Sequence, residues 1–419
     1  MKTSAALALP LLAAGCVAYE PAPIDWAAEA VRFETAPARV SLSVADVRRR
    51  AVAFSPELNA LRLAHATSEA KADAAGWWED PSLDVDWLRI LQEPENPFVW
   101  GGSLTFTLPL SGIPGLEKRA AKAYAEADRW ALVAAERDAA GEAAVLAVTV
   151  RELKRVNETI ARRLASTNYL AASAAAARLA EAGELSRVEQ EQLVADAREW
   201  ARTGQELAHE RLAAETALRR TLLLAPTCAI DWTDSGGACA GFPTNAYTYL
   251  AFTNAPSVRA AVARLAGGEA ELDREIRRQY PELSVGPAYS REEGFNRVGF
   301  AAGVTLPLWN RNRVGIATAR GTRDEARQAA VEAWRDAVQR WHGLKAEQAR
   351  LHDAEAMPPG PASLDAADRL YAIGELDAPG YVAAVHRFLA EAVAAARLRI
   401  DVGSLAERMK AVVEGLEAK

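Results

Sequence analysis

Two stretches of the chain alternate apolar and polar residues with a period of two, and long runs of helical period bracket both. In the first, Leu83, Val85 and Trp87 interleave with Ser82, Asp84 and Asp86. After a polar segment containing Pro94, Glu95 and Asn96, Leu104, Phe106 and Leu108 interleave with Ser103, Thr105 and Thr107. In the second stretch, Leu283, Val285 and Tyr289 alternate with Ser284, Gly286 and Ala288. Phe300, Ala302, Val304 and Leu306 then alternate with Gly299, Ala301, Gly303 and Thr305. Successive side chains of a strand leave on opposite faces, so this pattern predicts two β-hairpins, at about 82–110 and about 283–308. Trp87, Phe98 and Trp100 near the strand ends suit the aromatic girdle of a membrane hairpin. A half-buried hairpin of a soluble domain would show the same alternation.

The flanking runs predict unusually long helices. From about Leu116 to Ala182 there is no proline, and Gly141 is the only weak point. Leu146, Val150, Leu153, Val156, Ile160 and Leu164 fall three or four apart, a seam on one helical face. Some 65 residues at 1.5 Å each give a rod of roughly 100 Å. So long a helix must pack lengthwise on others, and its many alanines permit close approach of neighbouring axes. A return helix runs from Leu185 to about Leu224, with Gly183 at the tip where a tight turn needs an unhindered backbone.

The same text occurs twice, some 200 residues apart. Ser55-Pro56-Glu57-Leu58 returns as Ala255-Pro256-Ser257-Val258, Pro81-Ser82-Leu83 as Pro281-Glu282-Leu283, and Thr107-Leu108-Pro109-Leu110 as Thr305-Leu306-Pro307-Leu308. Arg178-Leu179 with Gly183-Glu184-Leu185 returns as Arg369-Leu370 with Gly374-Glu375-Leu376. Ordered matches at one long period predict two copies of one supersecondary unit. Repeat 1 spans 41–225 with its tip at 182–186, a connector spans 226–254, and repeat 2 spans 255–419 with its tip at 373–377. Between the last two matches the offset falls from 198 to 191, a loss of one heptad. The shortened run contains Met357-Pro358-Pro359-Gly360-Pro361, which must interrupt its helix.

Two hairpins supply four strands. An open edge leaves unsatisfied backbone groups in lipid, and the smallest bacterial barrels have about eight strands. A barrel made from this chain must therefore pool strands across subunits.

Charge and chemistry narrow the function. With 49 basic and 56 acidic residues the chain is mildly acidic, which argues against nucleic acid as a partner. No apolar run approaches the 18 residues of a membrane helix, so any crossing is made by strands. His65, His209, His342, His352 and His386 are scattered over helical stretches without metal-ligand spacing. No nucleophile elbow or phosphate loop is present. Neither an enzyme, a metal site nor a cofactor is expected.

The first fifteen residues read as a signal peptide, with Lys2 ahead of the apolar Ala5–Ala14 stretch. Leu12-Ala13-Ala14-Gly15-Cys16 resembles a bacterial lipobox, which makes Cys16 the expected lipid anchor and 16–40 an extended lipidated segment. An ordinary secretory signal is the alternative. Val17, rather than Asp, follows the cysteine, which implies export to the outer membrane. Cys228 and Cys239 lie in the connector, where an oxidising periplasm favours a disulfide over two free thiols, and the lack of a histidine in the loop argues against a metal pair.

The order of lipobox, helix, hairpin, long helix, glycine tip and return helix, then the same again, resembles the TolC-type outer-membrane efflux factors over about residues 40–415. The residues carrying the resemblance are Ser55-Pro56-Glu57-Leu58, Pro81-Ser82-Leu83, Ala182-Gly183-Glu184-Leu185-Ser186 and Leu306-Pro307-Leu308-Trp309-Asn310-Arg311-Asn312-Arg313. The last string is most similar to the heavy-metal and cation efflux branch. The resemblance implies a homotrimer with a twelve-stranded β-barrel continued by an α-helical periplasmic barrel. It also implies a periplasmic adaptor and an inner-membrane pump, proton-driven in the cation branch, as partners. Gly183, Glu184, Leu185 and Ser186 with Gly374, Glu375, Leu376 and Asp377 would form the adaptor-binding, closing end. Asp377 stands where a small hydroxyl residue is usual, and Leu185 and Leu376 are expected to be exposed. Asp84 and Asp86 would face the lumen and favour cations. Other readings are a conduit for drugs or a secreted polypeptide, and a periplasmic coiled-coil scaffold without a pore.

Overall fold

The computed structural model describes residues 19–89, 91, 98–233, 242–243, 246–292, 295–304, 309–356 and 364–417. The described elements begin with α1 (Trp26–Glu34), β1 (Arg39–Leu42), α2 (Val44–Phe54) and α3 (Pro56–Ala74). The strands β2 (Ser82–Arg89) and β3 (Phe98–Leu108) follow, then α4 (Ile113–Leu164), α5 (Thr167–Glu181), α6 (Arg187–Thr221) and β4 (Ala229–Trp232). A 3-10 turn at Tyr249–Asn254 leads into α7 (Pro256–Arg277), β5 (Leu283–Glu292), β6 (Phe295–Val304), α8 (Arg313–Ala356), α9 (Leu364–Ala372) and α10 (Ala378–Leu416). Cys16, Cys239, the Pro94–Asn96 segment, residues 305–308 and the Met357–Pro361 run lie outside the described residues.

Three expectations are revised. The segment 16–40 is not wholly extended: Asp25 caps α1 by accepting from the Ala27 and Ala28 amides at 3.0 Å each. The long helix expected over 116–182 is two helices, broken at Ala165–Ser166. Ser166 donates its hydroxyl to the Arg163 carbonyl at 2.7 Å, so a side chain competes with the helical ladder at a Ser-Thr-Asn run of weak helix formers. Gly141 is no weak point either. It is buried inside α4, where a Cβ would meet that of Ala411 at 3.2 Å, so the glycine lets α10 approach closely.

The helix α4 is the spine, packed lengthwise on α2, α3, α6, α7 and α10. Its apolar seam enters two of the three cores. One combines Leu153, Val156 and Ile160 with Tyr169, Ala172, Leu207, Tyr381 and Leu389. A second joins Ala143, Ala147 and Val150 to Val47, Leu218 and Ile230. In it the parallel pair β1–β4, with Arg39 opposite Ala229, ties the connector to the start of the chain. The third gathers Phe252, Val258, Trp341, Leu405 and Met409. Buried charge on the spine is paired: Glu152, 2% exposed, accepts from Arg399 at 2.8 Å and from Arg151 at 3.3 Å.

The strands form one antiparallel sheet in the order β2-β3-β5-β6. Its register carries the alternation across all four strands. Leu83, Val85 and Trp87 stand opposite Leu104, Gly102 and Trp100. Phe106 and Leu108 meet Val285 and Leu283, which in turn meet Ala302 and Val304. Opposed residues share a face, so these side chains make one continuous apolar surface. The other face holds Asp84, Asp86, Ser103, Thr105, Thr107, Ser284, Gly286, Ser290 and Gly303.

Candidate functional site

Two places gather the residues singled out in the sequence: the four-stranded sheet and the two helix-hairpin tips. In the sheet, the apolar face is left exposed among the described residues. Leu83, Val85, Trp87, Val298, Phe300 and Val304 are all exposed. The longest strands have 10 or 11 residues, so at about 3.3 Å per residue the sheet is roughly 30 Å tall, close to a bilayer's apolar thickness. At the hairpin end of this face Trp87 stacks on Phe98 with ring centroids 5.7 Å apart, and Trp100 leans on Tyr289 at 5.0 Å. Asp84 and Asp86 stand on the opposite face, opposite Ser103 and Gly101. Among the described strands β2 and β6 are the edges, each paired on one side only.

The tips are built alike from different residues. Gly183 has φ +76°, a left-handed conformation open to glycine at little cost. Its amide donates to the Ala180 carbonyl at 3.2 Å, and the Glu184 amide reaches the Leu179 carbonyl at 3.0 Å. These two bonds satisfy carbonyls left free at the end of α5. Ser186 then caps α6 reciprocally: its hydroxyl accepts from the Glu189 amide at 3.2 Å, and the Glu189 carboxylate accepts from the Ser186 amide at 2.9 Å. At the second tip Gly374 has φ +79°, with Gly374 bonded to Tyr371 at 3.1 Å and Glu375 to Leu370 at 3.0 Å. Asp377 caps α10, its carboxylate accepting from the Gly380 amide at 3.1 Å. The departure from a hydroxyl residue thus preserves the capping role, because Asp and Ser both offer a side-chain oxygen at the N-cap.

One expectation at the tips fails. Leu185 and Leu376 are half-buried rather than exposed, and Leu376 packs on the core of α4, α5 and α10. The large apolar groups that the tips do present are Val188, 64% exposed, and Ile373, 67% exposed. Both sit within two residues of a cap or of the turn glycine. A turn-based reading of the sequence could have found them by asking which side chains flank the motif rather than which lie in it. Glu184 and Glu375 are exposed beside them.

Cys228 is a buried thiol, 1% exposed, in the second core; its expected partner Cys239 is not among the described residues. Among those residues no cluster of three His, Cys, Asp or Glu side chains could hold a metal ion. No described helix is long and apolar enough to cross a membrane, which says nothing of the strands.

No family model and no curated protein matches the chain. Solved structures do. A membrane protein from Pseudomonas aeruginosa superposes with a TM-score of 0.73 at 16% identity, covering 95% of this chain and 97% of that one. The Campylobacter jejuni CmeC outer membrane channel gives 0.67 at 14%, covering 96% and 91%. The open state of the Neisseria gonorrhoeae MtrE outer membrane channel gives 0.68 at 16%, covering 89% of each. The chain has the fold of these outer-membrane channels. At such identities the likeness extends to architecture over almost the whole length and leaves the chemistry to be argued from this chain's own residues.

Proposed function

We propose that three copies of this chain close a twelve-stranded outer-membrane barrel and continue it into the periplasm as a helical tunnel, a passive conduit for efflux. One observation carries the reading: a four-stranded sheet of bilayer height, apolar on one face, polar on the other and open at both edges. Lipid is the solvent that suits the apolar face. A second copy's β2 beside β6 satisfies both edges, and repetition closes the ring. The polar face then lines the lumen, with Asp84 and Asp86 favouring cations over anions. The recurrence of helix, hairpin, long helix, glycine turn and capped return helix in both halves supports a tandem repeat.

The tips form the periplasmic end in this reading, where Val188, Ile373, Glu184 and Glu375 meet an adaptor protein that links the conduit to an inner-membrane pump. Cys16 carries a lipid, and Cys228 pairs with Cys239 once exported. Heavy-metal cations are the proposed cargo, on the strength of the Leu306–Arg313 run; a multidrug or secretion conduit would share every feature above except that run. Two experiments test the whole. The purified protein should have the mass of a trimer and give cation-selective conductance in planar bilayers, less selective in Asp84→Asn plus Asp86→Asn. A deletion strain should lose tolerance to metal salts while keeping tolerance to dyes and antibiotics; the reverse pattern moves the protein to drug efflux. A monomer released from membranes by removing its lipid would leave only a scaffold.

A further inference from the structure

His386 is the one histidine that the fold buries, at 6% exposure, and it stands where both tip hairpins meet. It lies nine residues past the cap of α10, and Asp196 lies ten past the cap of α6. Both therefore sit roughly 13–15 Å above their tips at 1.5 Å per residue. Three helices converge on the ring. From α5, the Tyr169 hydroxyl is 2.9 Å from Nε2. From α6, an Asp196 carboxylate oxygen is 3.7 Å from Nδ1, too far for a direct hydrogen bond, and Trp200 lies against the ring at 6.1 Å between centroids. Nδ1 has no hydrogen-bond partner. A cavity of about 510 Å³ opens beside it, lined by Tyr169, Ser173, Ala177, Val194 and Ala197, with Arg198 and Glu181 also on its wall. From α4, Arg163 lies over the Phe388 ring at 5.4 Å and pairs with Asp368 of α9 at 3.4 Å.

We propose that the Tyr169–His386–Asp196 chain is a proton-operated latch that joins the α5–α6 hairpin to α10 and loosens the tips when the surroundings acidify. With Tyr169 donating to Nε2, the neutral ring keeps its hydrogen on Nδ1, directed at Asp196. Adding a proton puts a second hydrogen on Nε2. Tyr169 must then turn its own hydrogen away, and a cation arises in a buried site. Asp196 is half-exposed and offers only partial compensation at 3.7 Å. Burial accordingly holds His386 below the ordinary imidazole value of 6.5, against the pull of Asp196. The packed arrangement binds fewer protons than a parted one in which the ring is hydrated. Its advantage is complete above 6.5 and is lost as pH falls below that value toward the depressed one. The adjoining cavity is the route by which water would reach the ring. The inference rests on the reading of the tips as the tunnel's periplasmic end.

Amide exchange on the full-length protein in lipid nanodiscs tests the latch without requiring conduction. Protection factors, corrected for intrinsic pH dependence, should be followed from pH 7.5 to 5.0 in peptides covering 169–181, 187–200 and 378–393. Wild type should lose protection with a midpoint below 6.5, by about tenfold for each pKa unit separating the packed and parted states. His386→Gln and His386→Phe should be flat across the range, and Asp196→Asn should move the midpoint lower. A wild-type profile that does not change, or a loss that persists in both His386 variants, overturns the proposal. Either result stands apart from bilayer conductance, so a latch without conduction or conduction without a latch would be recognised as such.

Discussion

Asn312 grips Glu275 twice, donating from one amide nitrogen to the Glu275 backbone carbonyl at 2.9 Å and to its carboxylate at 2.7 Å. Asn312 ends the run that returns from β6, and Glu275 lies in the last turn of the helix that feeds β5, so the pair pins both ends of the second hairpin to one point. Arg311 and Asn312 both have left-handed backbones, at φ 45° and 49°. Asn tolerates that conformation better than other side chains with a Cβ. Burial alone would raise the Glu275 carboxyl, but the bonds from Asn312 and Arg274, with the charges of Arg278 and Arg274, hold it below its ordinary value. Asn312→Ala should cost about 1–3 kcal/mol by leaving a buried carboxylate short of a donor. Thermal melting followed by helical circular dichroism checks it, and an unchanged midpoint would mean that water replaces the amide.

Gly315 explains a second constraint at the same joint. A Cβ there would lie 2.5 Å from the Asn312 side-chain oxygen and 2.7 Å from a Glu275 carboxylate oxygen. Gly315→Ala should therefore destabilise mainly by prising these two apart. In an Asn312→Ala background most of that cost should vanish, giving a coupling of about 0.5–3 kcal/mol in a double-mutant cycle. Additive costs would show that the methyl group clashes with something else.

The two tips should respond equally to loss of their caps. Ser186→Ala and Asp377→Ala each remove the side-chain oxygen that accepts an amide of the following helix, worth about 1 kcal/mol. Gly183→Ala and Gly374→Ala should each cost about as much, through the left-handed backbone. Amide exchange in the first turns of α6 and α10 would report the local loss. If Asp377→Ala leaves α10 unaffected, the aspartate is kept for docking rather than capping.

What was legible in the sequence follows from the range of the forces involved. The hairpins could be read because a period of two is set within each strand, and Asp84 falls on the polar face as that period requires. The turn glycines could be read because Gly183 and Gly374 occupy a conformation that disfavours other residues. The junction of β3 with β5 could not, since it joins strands separated by four helices. Nor could the break at Ser166, where propensity alone left a continuous helix plausible. His386 is the clearest case: a lone histidine in an alanine-rich helix gives no local sign that Tyr169 and Asp196 converge on it.

Acid should loosen α2 in a defined window. The Ser43 hydroxyl donates to the Asp46 carboxylate at 2.6 Å and the Ser43 amide at 3.0 Å, with Arg49 beside it; together they hold the carboxyl at about 2, the Ser43 hydroxyl contributing most. A carboxyl depressed in the folded state stabilises it fully above the ordinary value near 3.8. That contribution is lost as pH falls through about 2. Exchange protection at the start of α2 should decline between these limits. Asp46→Asn should begin lower at pH 7 and show no such step, whereas a step that survives the substitution would place the titration elsewhere.

Gly286 is the position on which union of the two hairpins depends. It lies in β5 where that strand meets β3, and a Cβ there would fall 1.7 Å from the Leu104 carbonyl oxygen and 3.0 Å from the Thr105 Cα. Each of these contacts is to β3 backbone, so no flexible side chain can move aside, and β3 and β5 are the only described strands that connect one hairpin to the other. Gly286→Ala should therefore part the sheet between its halves while leaving the helical cores intact, because none of the buried residues that form those cores lies in β5. A sheet split in this way has two further edges with unpaired amides and carbonyls, which lipid does not tolerate. On the proposed conduit reading, the expected outcome is a protein of normal helical content that fails to form a trimer resistant to detergent and fails to conduct. Gly303→Ala is the control: its Cβ would meet only the Ser284 hydroxyl at 2.7 Å, a side-chain atom able to rotate away. If the Gly286 variant assembles as well as the Gly303 variant, the close approach of β5 to β3 is not needed for closure, and the hairpins are held together by their helices instead.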